Sequence, residues 1–93
     1  MMLNDVKAAL RVTSTDVDIE VEINDLIDSA RMDMIQSGVS ESKANEDNDA
    51  LVKRAIILYA KAYYGLDSPN AERFQQSYES LKMHLSYAGD YNG

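Results

Sequence analysis

The chain has 93 residues, no cysteine and a formal net charge of −7, so we expect one domain with a modest core and neither disulfides nor Cys-ligated metals. No apolar run reaches the roughly 18 to 20 residues of a membrane span and no leader pattern opens the chain, so we expect an intracellular protein without membrane contact. Residues 1–50 hold 12 acidic and 4 basic side chains, an excess that disfavours gripping nucleic acid, because such binding depends on Lys and Arg.

A short helix is predicted at the start of the chain. Leu3, Val6 and Leu10 are spaced i, i+3 and i+7, which places them on one helical face. The chain then becomes polar, and Thr15 with Asp18 three residues later has the form of a capping box. This pattern predicts that a second helix begins there.

Residues 17–23 alternate between apolar and acidic side chains, which is typical of a strand. Asp and Glu are poor strand residues, however, and an apolar face at helical spacing continues from Ile19 to Met34. We therefore predict a helix, with a second and weaker apolar stripe that points away from the core. The side chains of this second stripe are Val17, Val21, Met32 and Ile35.

The second helix is expected to end at Gly38, because glycine readily adopts the left-handed conformation that closes helices. Residues 37–48 are mostly polar and are predicted to form a surface loop. Asn48 or Asp49 can then cap the central helix.

Residues 51–66 are apolar around most of a helix's circumference. The predicted core face comprises Leu51, Val52, Ala55, Ile56, Leu58, Tyr59, Ala62, Tyr63 and Leu66, and a flanking stripe comprises Ile57, Ala60 and Tyr64. A chain of this size has only a small core, so such a helix suggests a subunit of an assembly. Tyr64 has an alternative interpretation, in which it packs against the last helix of the same subunit.

Gly65 predicts a stop, after which Ser68 is expected to cap a last helix with Pro69 at its first position. The core face of this last helix is predicted to comprise Phe74, Tyr78, Leu81 and Leu85. Gly89 is expected to end it, leaving residues 89–93 as a flexible tail. The sequence thus predicts an all-α fold, in which residues 1–93 form a single domain of about four helices, one short and three longer.

The residues do not assemble a recognisable catalytic or metal site. The acidic run beginning at Asp16 could suggest a calcium loop, but Val21 and Ile27 occupy the positions that need Gly and a bidentate acid. His84 is the single histidine and is interpreted as a surface or satisfied side chain. We therefore predict no enzyme activity and no cofactor, and interpret the acidic run as a solvated helix face.

The basic residues form two small groups, Lys53, Arg54 and Lys61 in the central helix and Arg73 with Lys82 in the last helix. Each group could contact a phosphate. We favour the explanation that these side chains pair with the acidic second helix, either of the same subunit or of a neighbour.

Several stretches, taken together, resemble the gp6-like head-tail connector proteins of tailed bacteriophages, also known as phage DNA-packaging proteins. The matching stretches are Leu3-x-x-Val-Lys-x-x-Leu-Arg-Val12, Asp16-Val-Asp18, Leu26-Ile-Asp-x-Ala30, Leu51-Val-x-x-Ala-Ile-x-Leu-Tyr59 with Tyr63-Tyr64, and Ala71-Glu-Arg-Phe-Gln-Gln-Ser-Tyr-Glu-Ser-Leu81. They cover nearly the whole chain, and their specificity lies in their order and spacing.

This resemblance implies a small helical adaptor that assembles in the host cytoplasm and ends at the head-tail junction of the virion. There it would form a homo-oligomeric ring, commonly of about twelve subunits, on the portal protein. The ring would join a tail or head completion protein and let DNA pass without specific binding. The alternative from another class is a small acidic regulatory protein that binds a host factor through a phosphate-like array of charges.

Two sets of residues follow as candidates for function. The predicted subunit interface comprises Val17, Val21, Met32, Ile35, Ile57 and Tyr64. The acidic surface that would face DNA or a partner comprises Asp16, Asp18, Glu20, Glu22, Asp25 and Asp28.

Overall fold

The computed structural model describes residues 2–64 and 69–92, which form five α-helices and no strand. The helices are α1 (Met2–Leu10), α2 (Val17–Gln36), α3 (Glu41–Ala44), α4 (Ala50–Tyr63) and α5 (Ala71–Tyr87). The all-α prediction is confirmed, with one more helix than the sequence suggested. Residues 17–23 belong to α2, so the helical period of the apolar face prevails over their alternation.

Two aspartates determine where the long helices α2 and α4 begin. The Asp16 carboxylate accepts a hydrogen bond from the backbone N–H of Asp18 at 2.8 Å, so the predicted capping box from Thr15 is wrong by one residue. Asp16 takes the role because its carboxylate directly reaches a backbone N–H group of the first turn that has no partner within the helix. Asp49, one of the two caps predicted for α4, accepts two backbone N–H groups of that helix at 3.0 Å each.

The connection between α2 and α4 contains a short helix that the sequence analysis assigned to a loop. Gly38 follows α2 with a φ of +113°, as expected for a residue that ends a helix. Ser40 then caps α3 by accepting a hydrogen bond from the backbone N–H of Lys43 at 3.3 Å. The short helix packs on the core through Ala44, which is fully buried.

The start of α5 differs from its prediction. Pro69 and Asn70 form a turn, and the helix begins at Ala71, so Pro69 does not occupy the first helical position. The fixed φ of proline suits a turn as well as a first helical turn, so the sequence pattern does not separate the two. The roles predicted for Gly65, Leu66 and Ser68 lie outside the described residues.

The core forms around α4, which packs against α1, α2 and α5. The buried apolar side chains are Met2, Val6, Ile23, Ile27, Ala30, Met34, Val39, Ala44, Val52, Ala55, Ile56, Ala60, Ala62, Tyr78 and Leu85. Because three helices surround α4, packing within the chain accounts for much of the apolar circumference that suggested an assembly.

The rotation of α4 differs in detail from the predicted core face. Ala60, assigned to the flank, is buried, whereas Tyr63, assigned to the core, is 46% exposed. Tyr63 lies at the end of the helix, where one side of its ring contacts Tyr59 at 4.6 Å between centroids and the other meets solvent. Leu51, in the first turn, is likewise 38% exposed. Tyr78 is buried, as predicted.

Candidate subunit interface

The side of α2 that faces away from the core carries exposed apolar residues. Val17, Val21 and Met32 are 72%, 52% and 56% exposed, respectively. Together with Asp25 and Asp28 they follow one another at intervals of four, four, three and four residues, so they form a single stripe along the helix. We call these five residues the outer face of α2.

The other three residues of the predicted interface lie elsewhere. Ile35, Ile57 and Tyr64 are half-buried and pack against the core cluster. The structure therefore divides the predicted set into an exposed part on α2 and a part that already has intrachain contacts. Their role in subunit contact stays a prediction, and the exposed part is the better candidate because its apolar surface is not covered by the described residues.

The acidic surface is also divided. The Glu20 carboxylate is half-buried and accepts a hydrogen bond from Lys7 Nζ at 2.6 Å, an ion pair that ties α1 to α2. The remaining members are exposed and form no ion pair with residues 2–64 or 69–92; they are Asp16, Asp18, Glu22, Asp25 and Asp28. Exposed carboxylates thus lie both within the outer face of α2 and next to it.

The basic residues of α4 and α5 separate into paired and unpaired groups. Lys53 pairs with Asp5 at 3.1 Å, and Lys82 pairs with Asp33 of α2 at 2.9 Å. The expected pairing of basic residues with α2 within the subunit is therefore realised by Lys82. Arg54 and Arg73 are exposed and form no ion pair with the described part of the chain.

These two arginines line the same groove, which runs between α4 and α5 and has a volume of about 560 Å³. The residues that line it include Leu51, Arg54, Leu58, Arg73, Ser77 and Leu81. We call it the α4–α5 groove. It combines leucine side chains with two arginines, a composition suited to a partner surface that is both apolar and acidic.

A partly buried network of hydrogen bonds holds α5 against α2. The Tyr78 hydroxyl donates a hydrogen bond to Asp33 Oδ2 at 2.7 Å, and Lys82 Nζ donates to the same oxygen at 2.9 Å. Burial alone would raise the pKa of the Asp33 carboxyl, but these two hydrogen bonds and the Lys82 charge outweigh it and lower the pKa. The pKa of the Tyr78 hydroxyl is raised, mainly by burial and secondly by the hydrogen bond to Asp33. The network fixes the outer face of α2 relative to the α4–α5 groove.

The segment predicted to be a flexible tail makes specific contacts at Tyr91. Its hydroxyl donates a hydrogen bond to Asp49 Oδ2 at 2.9 Å, and its carbonyl accepts one from the Ser40 backbone N–H at 2.7 Å. Lys43 Nζ lies 5.2 Å from the centre of the Tyr91 ring. The flexibility of residues 89–93 stays a prediction, but these contacts join Tyr91 to the caps of α3 and α4.

Several further apolar residues are exposed although they were not predicted as interface residues; they are Leu51, Tyr63, Met83 and Tyr87. A helical wheel places Met83 and Tyr87 opposite the core face of α5, so their exposure could have been predicted. It places Leu51 and Tyr63 on the core face of α4, because it does not include which neighbour reaches the end of a helix. His84, interpreted as a surface or satisfied residue, is exposed. In residues 2–64 and 69–92, no cluster of His, Cys, Asp or Glu has the arrangement of a metal site. None of the described helices combines the length and apolar character that a membrane crossing requires.

Comparison with known proteins relates the chain to a known family. A family model described as phage connector protein matches residues 2–92. Neither the curated proteins nor the solved structures contain a match to this chain.

Proposed function

Because the chain belongs to the phage connector protein family, we propose that it is the structural adaptor that forms a ring on the portal and links the DNA-filled head to the tail. It would occupy the head-tail junction of the virion. The observation that carries this proposal is the family match, which spans all of the described residues. Membership of a structural connector family also indicates a structural role rather than catalysis.

The surface chemistry supports contact with other proteins. Val17, Val21 and Met32 expose apolar area on a helix whose opposite side is buried in the core. Isolated exposed apolar residues are common, but three on one stripe of one helix form a surface that association would cover. The portal, a tail or head completion protein and further copies of this chain are the partners we propose.

The charge supports a ring through which DNA slides. The formal net charge is −7, and most acidic side chains of α2 point into solvent. A like-charged lumen repels the phosphate backbone, and salt limits this repulsion to about 8 to 10 Å, so the duplex stays centred and mobile. We propose that DNA passes through the ring without specific binding.

The proposal is tested by mixing the purified protein with the portal protein of the same phage and measuring masses by native mass spectrometry. We expect a ring of copies on the portal, and weak or no self-association without it. Val21→Asp should reduce ring formation, whereas Asn4→Asp, which adds the same charge at an exposed position of α1, should not. Absence of any complex between wild-type protein and portal, even at high concentration, would contradict the adaptor function and favour the regulatory alternative.

A further inference from the structure

We propose that the outer face of α2 in one copy docks into the α4–α5 groove of the next copy. This inference rests on the ring-forming function proposed above, and it specifies which two surfaces make the repeated contact. The two surfaces lie on different elements of the chain, so each copy offers one of each. The occupant of the groove is therefore a second copy of this chain.

The two surfaces match in the order of their side chains. On the outer face of α2, Asp25 and Asp28 lie between the apolar Val21 and Met32. On the α4 wall of the groove, Arg54 lies between Leu51 and Leu58 at spacings of three and four residues. Apolar, charged and apolar positions thus follow one another on both helices, with opposite charges in the middle.

The charges that would meet form no ion pair within the described part of their own chain. Lys53 and Lys82 already pair with carboxylates of their own subunit, whereas Arg54 and Arg73 form no ion pair with residues 2–64 or 69–92. Arginine suits this contact because its planar guanidinium binds a carboxylate through two parallel hydrogen bonds. Two arginines in the groove and two aspartates in the outer face provide equal numbers of opposite charges.

The same charges disfavour a two-fold dimer. If the outer face of α2 met its own copy, Asp25 and Asp28 of both chains would be brought together, and like charges across an interface are repulsive. If the groove of one copy met the groove of another, Arg54 and Arg73 of both chains would be brought together and would repel each other in the same way. Only face against groove is complementary, and such a heterologous contact repeats by rotation into a ring or a helix.

The test uses two charge-reversed full-length proteins. The groove variant is Arg54→Glu with Arg73→Glu, and the face variant is Asp25→Arg with Asp28→Arg. Each variant has two surfaces of like charge, so we expect each alone to assemble at least about tenfold more weakly than wild type, with or without portal. An equal mixture should assemble again, because the acidic groove of one accepts the basic face of the other.

Matched controls separate charge pairing from unfolding and from net charge. Circular dichroism and melting temperatures should be close to wild type for both variants, since all four positions are exposed. Arg11→Glu, at an exposed arginine outside both surfaces, reproduces the charge change of each groove substitution and should assemble normally.

The outcomes distinguish this inference from the proposed function. If wild type forms rings on the portal but the variants do so equally well, the docking proposal is wrong and the adaptor function stands. If both variants are weakened and the mixture does not recover, the pairing of face with groove is also wrong. If wild type itself forms no oligomer and no portal complex, the adaptor function fails, and the docking proposal fails with it.

Discussion

Removing the Tyr78 hydroxyl should measurably destabilise the fold, because this hydroxyl links α5 to α2. The change is Tyr78→Phe, which keeps the buried ring and deletes the hydrogen bond of 2.7 Å to Asp33. A hydrogen bond to a charged group contributes about 1.5 to 3 kcal/mol. The Asp33 side chain is 36% exposed and keeps its bond to Lys82, so solvent screening places the expected loss near the lower end, at about 1 to 2 kcal/mol.

The assay is thermal unfolding followed by circular dichroism. For a domain of this size, each kcal/mol lowers the melting temperature by about 4 to 8 °C, so we expect a decrease of roughly 5 to 15 °C. Tyr87→Phe is the matched control, because it deletes the same hydroxyl from a tyrosine that is 79% exposed. An equal decrease in both variants, or no decrease in Tyr78→Phe, would refute the proposed role of the network.

The same network predicts how stability depends on pH. The pKa of Asp33 lies below its ordinary value of 3.8, since the hydrogen bonds from Tyr78 and Lys82 outweigh the effect of burial. A carboxyl whose pKa is lowered by folding stabilises the protein above its unfolded pKa, and this contribution is lost as pH falls through the folded pKa. Tyr78→Phe loses the part of this stabilisation that comes from the Tyr78 hydrogen bond. The difference in melting temperature between the variant and wild type should therefore shrink below about pH 3.8.

Three further predictions concern the core, the tail and DNA. Ile56→Asp should abolish cooperative unfolding because it places a charge in the core, whereas Val21→Asp should change the melting temperature little; equal losses would contradict the assigned burial. Tyr91→Phe should cost about 1 kcal/mol in denaturant unfolding by deleting its hydrogen bond to Asp49, and an unchanged midpoint would favour a free tail. Duplex DNA should not shift with the purified protein in gel electrophoresis at about 50 mM salt, and tight, salt-sensitive binding would contradict passage without gripping.

Local patterns predicted where most helices lie. The apolar face that continues through α2 from Ile19 to Met34 overrides the alternation of residues 17–23, because a face of about four turns can bury more apolar surface than this short segment. Asp49 was identified as a possible cap from its position before an apolar run, and it does cap α4. Ser40 was available as a similar signal for α3, but a helix of four residues gives too short a period to detect.

Tertiary packing decided what the sequence did not. Ala60 and Tyr63 lie less than one helical turn apart on α4. Their burial depends on how α1, α2 and α5 together enclose that helix. A helical wheel represents a single helix and does not include those neighbours. The partners of Lys53 and Lys82 are likewise set by three-dimensional proximity, which left open the choice between intrachain and intersubunit pairing.

Under the proposed docking, the geometry within one subunit determines whether a ring closes. Each copy contributes both the outer face of α2 and the α4–α5 groove, so the rotation between successive copies depends on the relative orientation of these two surfaces within each subunit. A ring of about twelve subunits requires roughly 30° per copy, and an error in that angle accumulates around the ring. The bonds of Tyr78 and Lys82 to Asp33 join α5, one wall of the groove, to α2. If the proposed docking is correct, the network serves assembly by keeping this orientation constant, in addition to stabilising the fold.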